Sequence, residues 1–208
     1  MNDGLPEHEA TLCSGDEPFH GQETTQPLQL NDYWRWSASM LLDNTVRGIL
    51  AEFLVASALD LHRNPRREWD EADVRMGSGT KIEVKSAAYV QSWEQSEYSK
   101  IIFGIAPHGI WDATTGKYSE IQKRSAQIYV FCVFNRKEAP FDPLDLSAWD
   151  FYVIPTKVLD LKMSTQKSIG LSSLKKLSPK ECSYAGLREA ISEAEKEVDS
   201  EDYSNYQL

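Results

Sequence analysis

Asp73-Val74-Arg75-Met76-Gly77-Ser78-Gly79-Thr80-Lys81-Ile82-Glu83-Val84-Lys85 reads as two short strands, Asp73–Met76 and Thr80–Lys85, around a Gly-Ser-Gly link. A glycine-rich connection of that length favours a β-hairpin. With residues 77–79 as the loop, Met76 faces Thr80 and Asp73 comes to lie opposite Glu83. Opposed residues share a face of the sheet, with Cβ atoms ~5 Å apart. Side chains alternate along a strand, so Lys85 joins Glu83 while Ile82 and Val84 turn to the core. Three ionisable groups thereby meet at one spot with apolar neighbours.

Two facing carboxylates repel, and one proton affinity rises unless a cation intervenes. A hard divalent cation suits them: Mg²⁺ takes oxygen ligands, often one or two carboxylates, and keeps waters that a phosphate can replace. Mn²⁺ is the expected substitute. Lys85 then has a task, either serving the attacking water or neutralising charge on phosphoryl oxygens. The bland alternative is a surface hairpin with an ordinary cross-strand ion pair, since Glu-x-Lys alone is common. A second stretch weighs against it. A helix is expected from Asn44 or Thr45 to about Leu59, and between Gly48 and Ala58 its sole charged residue is Glu52. Burying that carboxylate among Ile49, Leu50, Phe53, Leu54 and Val55 is costly without a partner. Either Glu52 sits at the solvent edge or a cation receives it. Arg47, five positions earlier, is poorly placed for the task.

Arg47-Gly48-Ile49-Leu50-Ala51-Glu52, then Asp73, then Ile82-Glu83-Val84-Lys85-Ser86, resembles the active-site series of the PD-(D/E)XK (restriction-endonuclease-like) nuclease superfamily. The resemblance implies that Asp73, Glu83 and the carbonyl of Val84 bind metal, that Glu52 assists directly or through water, and that Lys85 serves the nucleophile. Ala72 departs from the proline of the family's name. Asp70 is the rival for the aspartate role, but only Asp73 falls opposite Glu83. Gln91 is similar to a glutamine found beyond this motif, which would hold a water or a phosphate; a glutamine exposed on a helix would look the same. Ser86 is a candidate hydrogen-bond donor behind the site. The likeness is good over residues 44–93 and holds only in outline to residue 155.

Outward from the hairpin, Gln127–Phe134 runs without a polar break, as a strand covered on both faces does. Ile101–Ile105 and Phe151–Ile154 are further strands, with Pro155-Thr156 opening a short helix. Ser86–Ser99 reads as helical or turn-like. A first helix is expected from an Asn31 cap to about Leu42, with Trp34 and Trp36 in core or edge packing. Apolar residues on nearly every side of the second helix suggest that it is buried. Ser178-Pro179-Lys180-Glu181 has the form of a capping box before a helix through Leu187 and Ile191. The order predicts an α/β domain, a mixed sheet between helical layers, over residues 29–198. Flexible acidic tails are expected at 1–28 and 199–208.

The net charge of −10 is uneven: residues 1–30 have six acids and no Lys or Arg, and 180–208 have eight acids and three bases. The remaining core is near neutral, so a basic face for nucleic acid is possible despite the total. Arg63, Arg66, Arg67, Lys123 and Arg124 are candidates for phosphate contacts, although each also suits a solvated surface. Cys13, Cys132 and Cys182 form neither a disulfide framework nor a zinc pattern, and Cys132 belongs to an apolar run. A reducing, cytoplasmic setting is expected, with no leader and no membrane span. His8, His20, His62 and His108 have no ligand spacing, and no P-loop or nucleophile elbow is present. The expectation is a Mg²⁺-dependent nuclease acting on DNA, with an endonuclease favoured and a homodimer or larger complex left open. Its alternatives are a non-catalytic nuclease fold that binds DNA or a protein, and a component of a bacterial or phage assembly.

Overall fold

A computed structural model describes residues 10–22, 25–66, 72–112, 117–201, 203, 204 and 206. Arg67, Asp70 and His8 lie outside these. In chain order the elements are α1 (Leu30–Ala38), α2 (Asn44–Ala58), β1 (Val74–Arg75), β2 (Lys81–Ala88), β3 (Ile102–Gly104), β4 (His108–Asp112) and β5 (Lys117–Lys123). There follow β6 (Ile128–Phe134), β7 (Trp149–Pro155), α3 (Thr156–Lys162), β8 (Ser168–Gly170), α4 (Leu171–Lys175), β9 (Lys180–Cys182) and α5 (Leu187–Ser200).

The main sheet has the order β1-β2-β6-β7-β9. β2 and β6 run parallel, and the remaining neighbours are antiparallel. The fold is therefore α/β with a mixed sheet, as read. The parallel pair sits at the centre, where both faces are covered. All seven residues of β6 are buried, Cys132 among them. On one face Ile82, Val84, Val130, Phe134 and Phe151 meet Ala51, Leu54 and Val55 of α2 and Ile191 and Ala194 of α5. On the other, Tyr129, Phe131, Val133 and Ile154 meet Phe103, Ile169, Val158, Leu159 and Leu174.

The hairpin forms in the anticipated register. Val74 pairs with Ile82 and Arg75 with Lys81. The Met76 N–H donates to the Thr80 carbonyl at 2.9 Å, and the Gly79 N–H donates to the Met76 carbonyl at 2.9 Å. Gly79 has φ +95°, the positive-φ position that closes a three-residue loop. The ladder stops at Val74, one residue short of the Asp73–Glu83 pairing that this register would give. The loop is anchored from far along the chain: Ser78 Oγ donates to Glu195 Oε1 at 2.5 Å and Thr80 Oγ1 to the same oxygen at 2.7 Å.

Several expectations are corrected. Asn31 does not cap α1; Gln29 does, with its side chain accepting from the Asp32 backbone while the Asp32 carboxylate accepts from the Gln29 N–H. No α1 residue is buried, and Trp36 is 86% exposed, so it is not core packing. Helix α2 is buried on one side only, leaving Ile49 and Phe53 exposed. β2 continues to Ala88, and residues 89–100 form an irregular loop rather than a helix. The 178–181 run opens β9, not a helix: Ser178 takes φ +56° and Lys180 pairs with Val153. Beyond α5, Tyr206 packs into the second core and its hydroxyl donates to Glu197 Oε2 at 2.7 Å. No described helix is long and apolar enough to cross a membrane.

Candidate active site

β1 is only two residues long because Asp73 leaves the ladder and substitutes its side chain for its backbone. The Val84 N–H, which a longer β1 would engage, donates instead to Asp73 Oδ2 at 2.7 Å. This carboxylate therefore lies at the sheet edge, between the two faces. Both main-chain groups of a strand residue leave toward the same neighbour, so the Val84 carbonyl faces the same edge. Glu83 and Lys85 project from β2 onto the second face, where they form an ion pair. Glu52 reaches the edge from the first face, since α2 packs there, and it lines one cleft with Asp73.

The Asp73 carboxyl is pushed up to about 6, first by burial and then by the charge of Glu83, with Glu52 adding to the repulsion; the Val84 N–H and Lys85 pull the other way. Asp73, Val84, Glu83, Lys85 and Glu52 are thus brought together, two acids and an amine from the hairpin and one acid from the helix.

The donor set fits a hard cation in one respect: a buried carboxyl raised by neighbouring acids is relieved by positive charge, and two carboxylates with a carbonyl suffice for an ion that keeps its waters. Among the described residues, however, no group of three His, Cys, Asp or Glu side chains is arranged so that it could hold a metal ion as it stands. Glu52 is engaged by Arg66, whose Nε and Nη2 donate to its two oxygens at 2.5 and 3.1 Å. The cation that meets Glu52 within the chain is therefore Arg66, fourteen residues on, which the sequence offers as a phosphate contact or a solvated surface charge. Nothing in the helical spacing of α2 could have shown this, because the pairing depends on how the loop after Asp60 folds back.

Other candidates are placed elsewhere. Gln91 is in the loop after β2, half-buried, where Oε1 accepts from Arg47 Nη1 at 3.2 Å and Nε2 donates to the Ala88 carbonyl at 2.8 Å. Ser86 Oγ accepts from Arg47 Nε at 3.3 Å. Arg47 is buried, with further bonds to the Leu42 carbonyl and Asn44, so it joins α2 to the end of β2. Arg124 is not a phosphate contact but a buried brace, donating to the carbonyls of Ile105 and Met163 and to Asp160. Arg63 and Lys123 are exposed.

No curated protein and no solved structure matches the chain. The family model described as bacteriophage T4 endonuclease IV matches residues 23–173, well over half of the chain, a span that includes Glu52, Asp73, Glu83, Lys85 and Gln91. With that match, and with acids and a lysine gathered at the sheet edge, the chain belongs to the bacteriophage T4 endonuclease IV family, a family of nucleases.

Proposed function

We propose that the protein is a Mg²⁺-dependent DNA endonuclease with a PD-(D/E)XK-type site. The carrying observation is Asp73, drawn out of its strand to the sheet edge, where Glu83, Glu52 and Lys85 surround it. Asp73, Glu83 and the Val84 carbonyl would hold the ion, and Glu52, released from Arg66, would assist directly or through water. When bound, a divalent ion supplies Lewis-acid charge at the phosphate and lowers the pKa of water. Lys85 orients the attacking water and offsets charge on the non-bridging oxygens, its ammonium being held in place by Glu83. Arg66, once freed, is suited to a phosphate oxygen, because its fork matches that geometry.

Purified protein with Mg²⁺ or Mn²⁺ should nick plasmid DNA, and Lys85→Ala should slow this at least about 100-fold. Cleavage untouched by the substitution would locate the chemistry elsewhere. A second reading, a non-catalytic DNA-binding module, draws on the two internal ion pairs, Glu52 with Arg66 and Glu83 with Lys85. It predicts equal retardation of DNA with and without divalent metal and no nicking.

A further inference from the structure

We propose that the cleft beside Asp73 is a nucleobase pocket, in which Phe53 stacks one base of the substrate next to the phosphate being cut. The inference rests on the nuclease reading and adds a specificity element to it.

The cleft holds about 800 Å³ and has two unlike ends. Ile49, Glu52, Phe53 and Ala56 line it with Arg66 and Ala72 to Arg75, and Ala10 and Leu12 of the N-terminal segment also border it. The spacing 49, 52, 53, 56 is a single helical face, distinct from the Ala51, Leu54 and Val55 face that fills the core. Phe53 is 50% exposed and Ile49 is 44% exposed. A helix that has already satisfied its core gains nothing from a second apolar face in water, so this face has another use. His62 braces the Phe53 ring edge-on, with centroids 6.0 Å apart at 74°.

The chemistry of the walls selects the occupant. Glu52 and Asp73 belong to the cleft and to the proposed site alike, so a group lying against Phe53 shares one cleft with the phosphate. A flat, uncharged aromatic group covalently attached to a phosphate matches an aromatic wall that leads to a guanidinium and a carboxylate pair. A nucleobase splayed out of its stack is that group. Stacking on a ring tolerates any base, and the pocket therefore detects that a base is present before its identity.

The test uses oligonucleotide substrates with a single abasic residue scanned across the positions around the cut. For the wild type, one position next to the cut should lower kcat/KM about tenfold. Phe53→Ala should lose that factor on the intact substrate and show no further loss on the abasic one, whereas Phe53→Trp should keep the wild-type pattern. A 2-aminopurine placed at the same position should change its fluorescence when wild type or Phe53→Trp binds, and should not when Phe53→Ala binds. Equal scans for wild type and Phe53→Ala, in rate and in fluorescence, overturn the pocket while leaving the nuclease reading intact. A wild type that cuts nothing overturns the nuclease reading, and the fluorescence scan then decides the pocket alone.

Discussion

Asp73 is the residue on which the most chemistry converges. Its carboxyl titrates near 6 in the fold against an ordinary value of 3.8, through burial and the charges of Glu83 and Glu52. The folded chain therefore binds this proton more tightly than the unfolded chain. The associated stability is complete below about pH 4 and is lost as pH rises through about 6. Metal-free protein should accordingly lose Tm between about pH 4 and about pH 7, and Asp73→Asn should flatten that fall; a slope unchanged by the substitution assigns the titration to other groups. Divalent metal should raise the Tm of the wild type in neutral buffer, and Asp73→Asn should abolish the rise. An equal rise in both proteins would move the ion away from Asp73. The sequence made Asp73, Glu83 and Lys85 legible because strand alternation and a three-residue loop are local rules. Arg66 was not legible as the partner of Glu52, because no local rule couples residues fourteen apart across a loop.

At the scale of the element, the hairpin is held by its turn and by its anchor. Gly79 has φ +95° and open space where a Cβ would stand, so Gly79→Ala adds backbone strain without a clash. It should cost about 1–3 kcal/mol in urea unfolding, with cleavage reduced in parallel as the register loosens. Wild-type stability in this variant would mean that the turn relaxes freely. The element reading failed in instructive ways. Ser178-Pro179-Lys180-Glu181 has the residues of a capping box, yet β7 offers an open edge and Lys180 to Cys182 pair with it. Pairing with an available strand outweighs a cap worth about 1 kcal/mol. Residues 86–99 read as helical or turn-like: Ala87 and Ala88 instead continue the ladder against Val133 and Phe134, and the rest forms an irregular loop with no helix. Helix α2 was legible in its bounds and not in its burial, since an apolar side chain gives the same signal whether it meets a core or lines a cleft.

In the whole molecule, the mixed sheet separates two apolar layers and its centre is β6. Phe131 is fully buried and packs on Phe103 at 4.8 Å and on Tyr129 at 5.7 Å. Phe131→Ala should cost about 3–5 kcal/mol, read as a lower denaturation midpoint; a cost under about 1 kcal/mol would mean that the second layer collapses into the gap. The class of fold followed from the unbroken run of β6 and the helix-strand order, whereas the strand partners did not. β2 pairs with β6 across the 39 residues of chain that separate them, a choice made by burial and not by any motif.

The carboxylate that secures the hairpin tip belongs to Glu195, more than a hundred residues downstream of Ser78 and Thr80. A ribosome that has just released the two strands of the proposed site has yet to make their clasp. A message cut short before that codon would yield a chain carrying every acid of the proposed site without the side chain that fastens the hairpin tip. The hairpin tip thus gains its anchor only once α5 has been made.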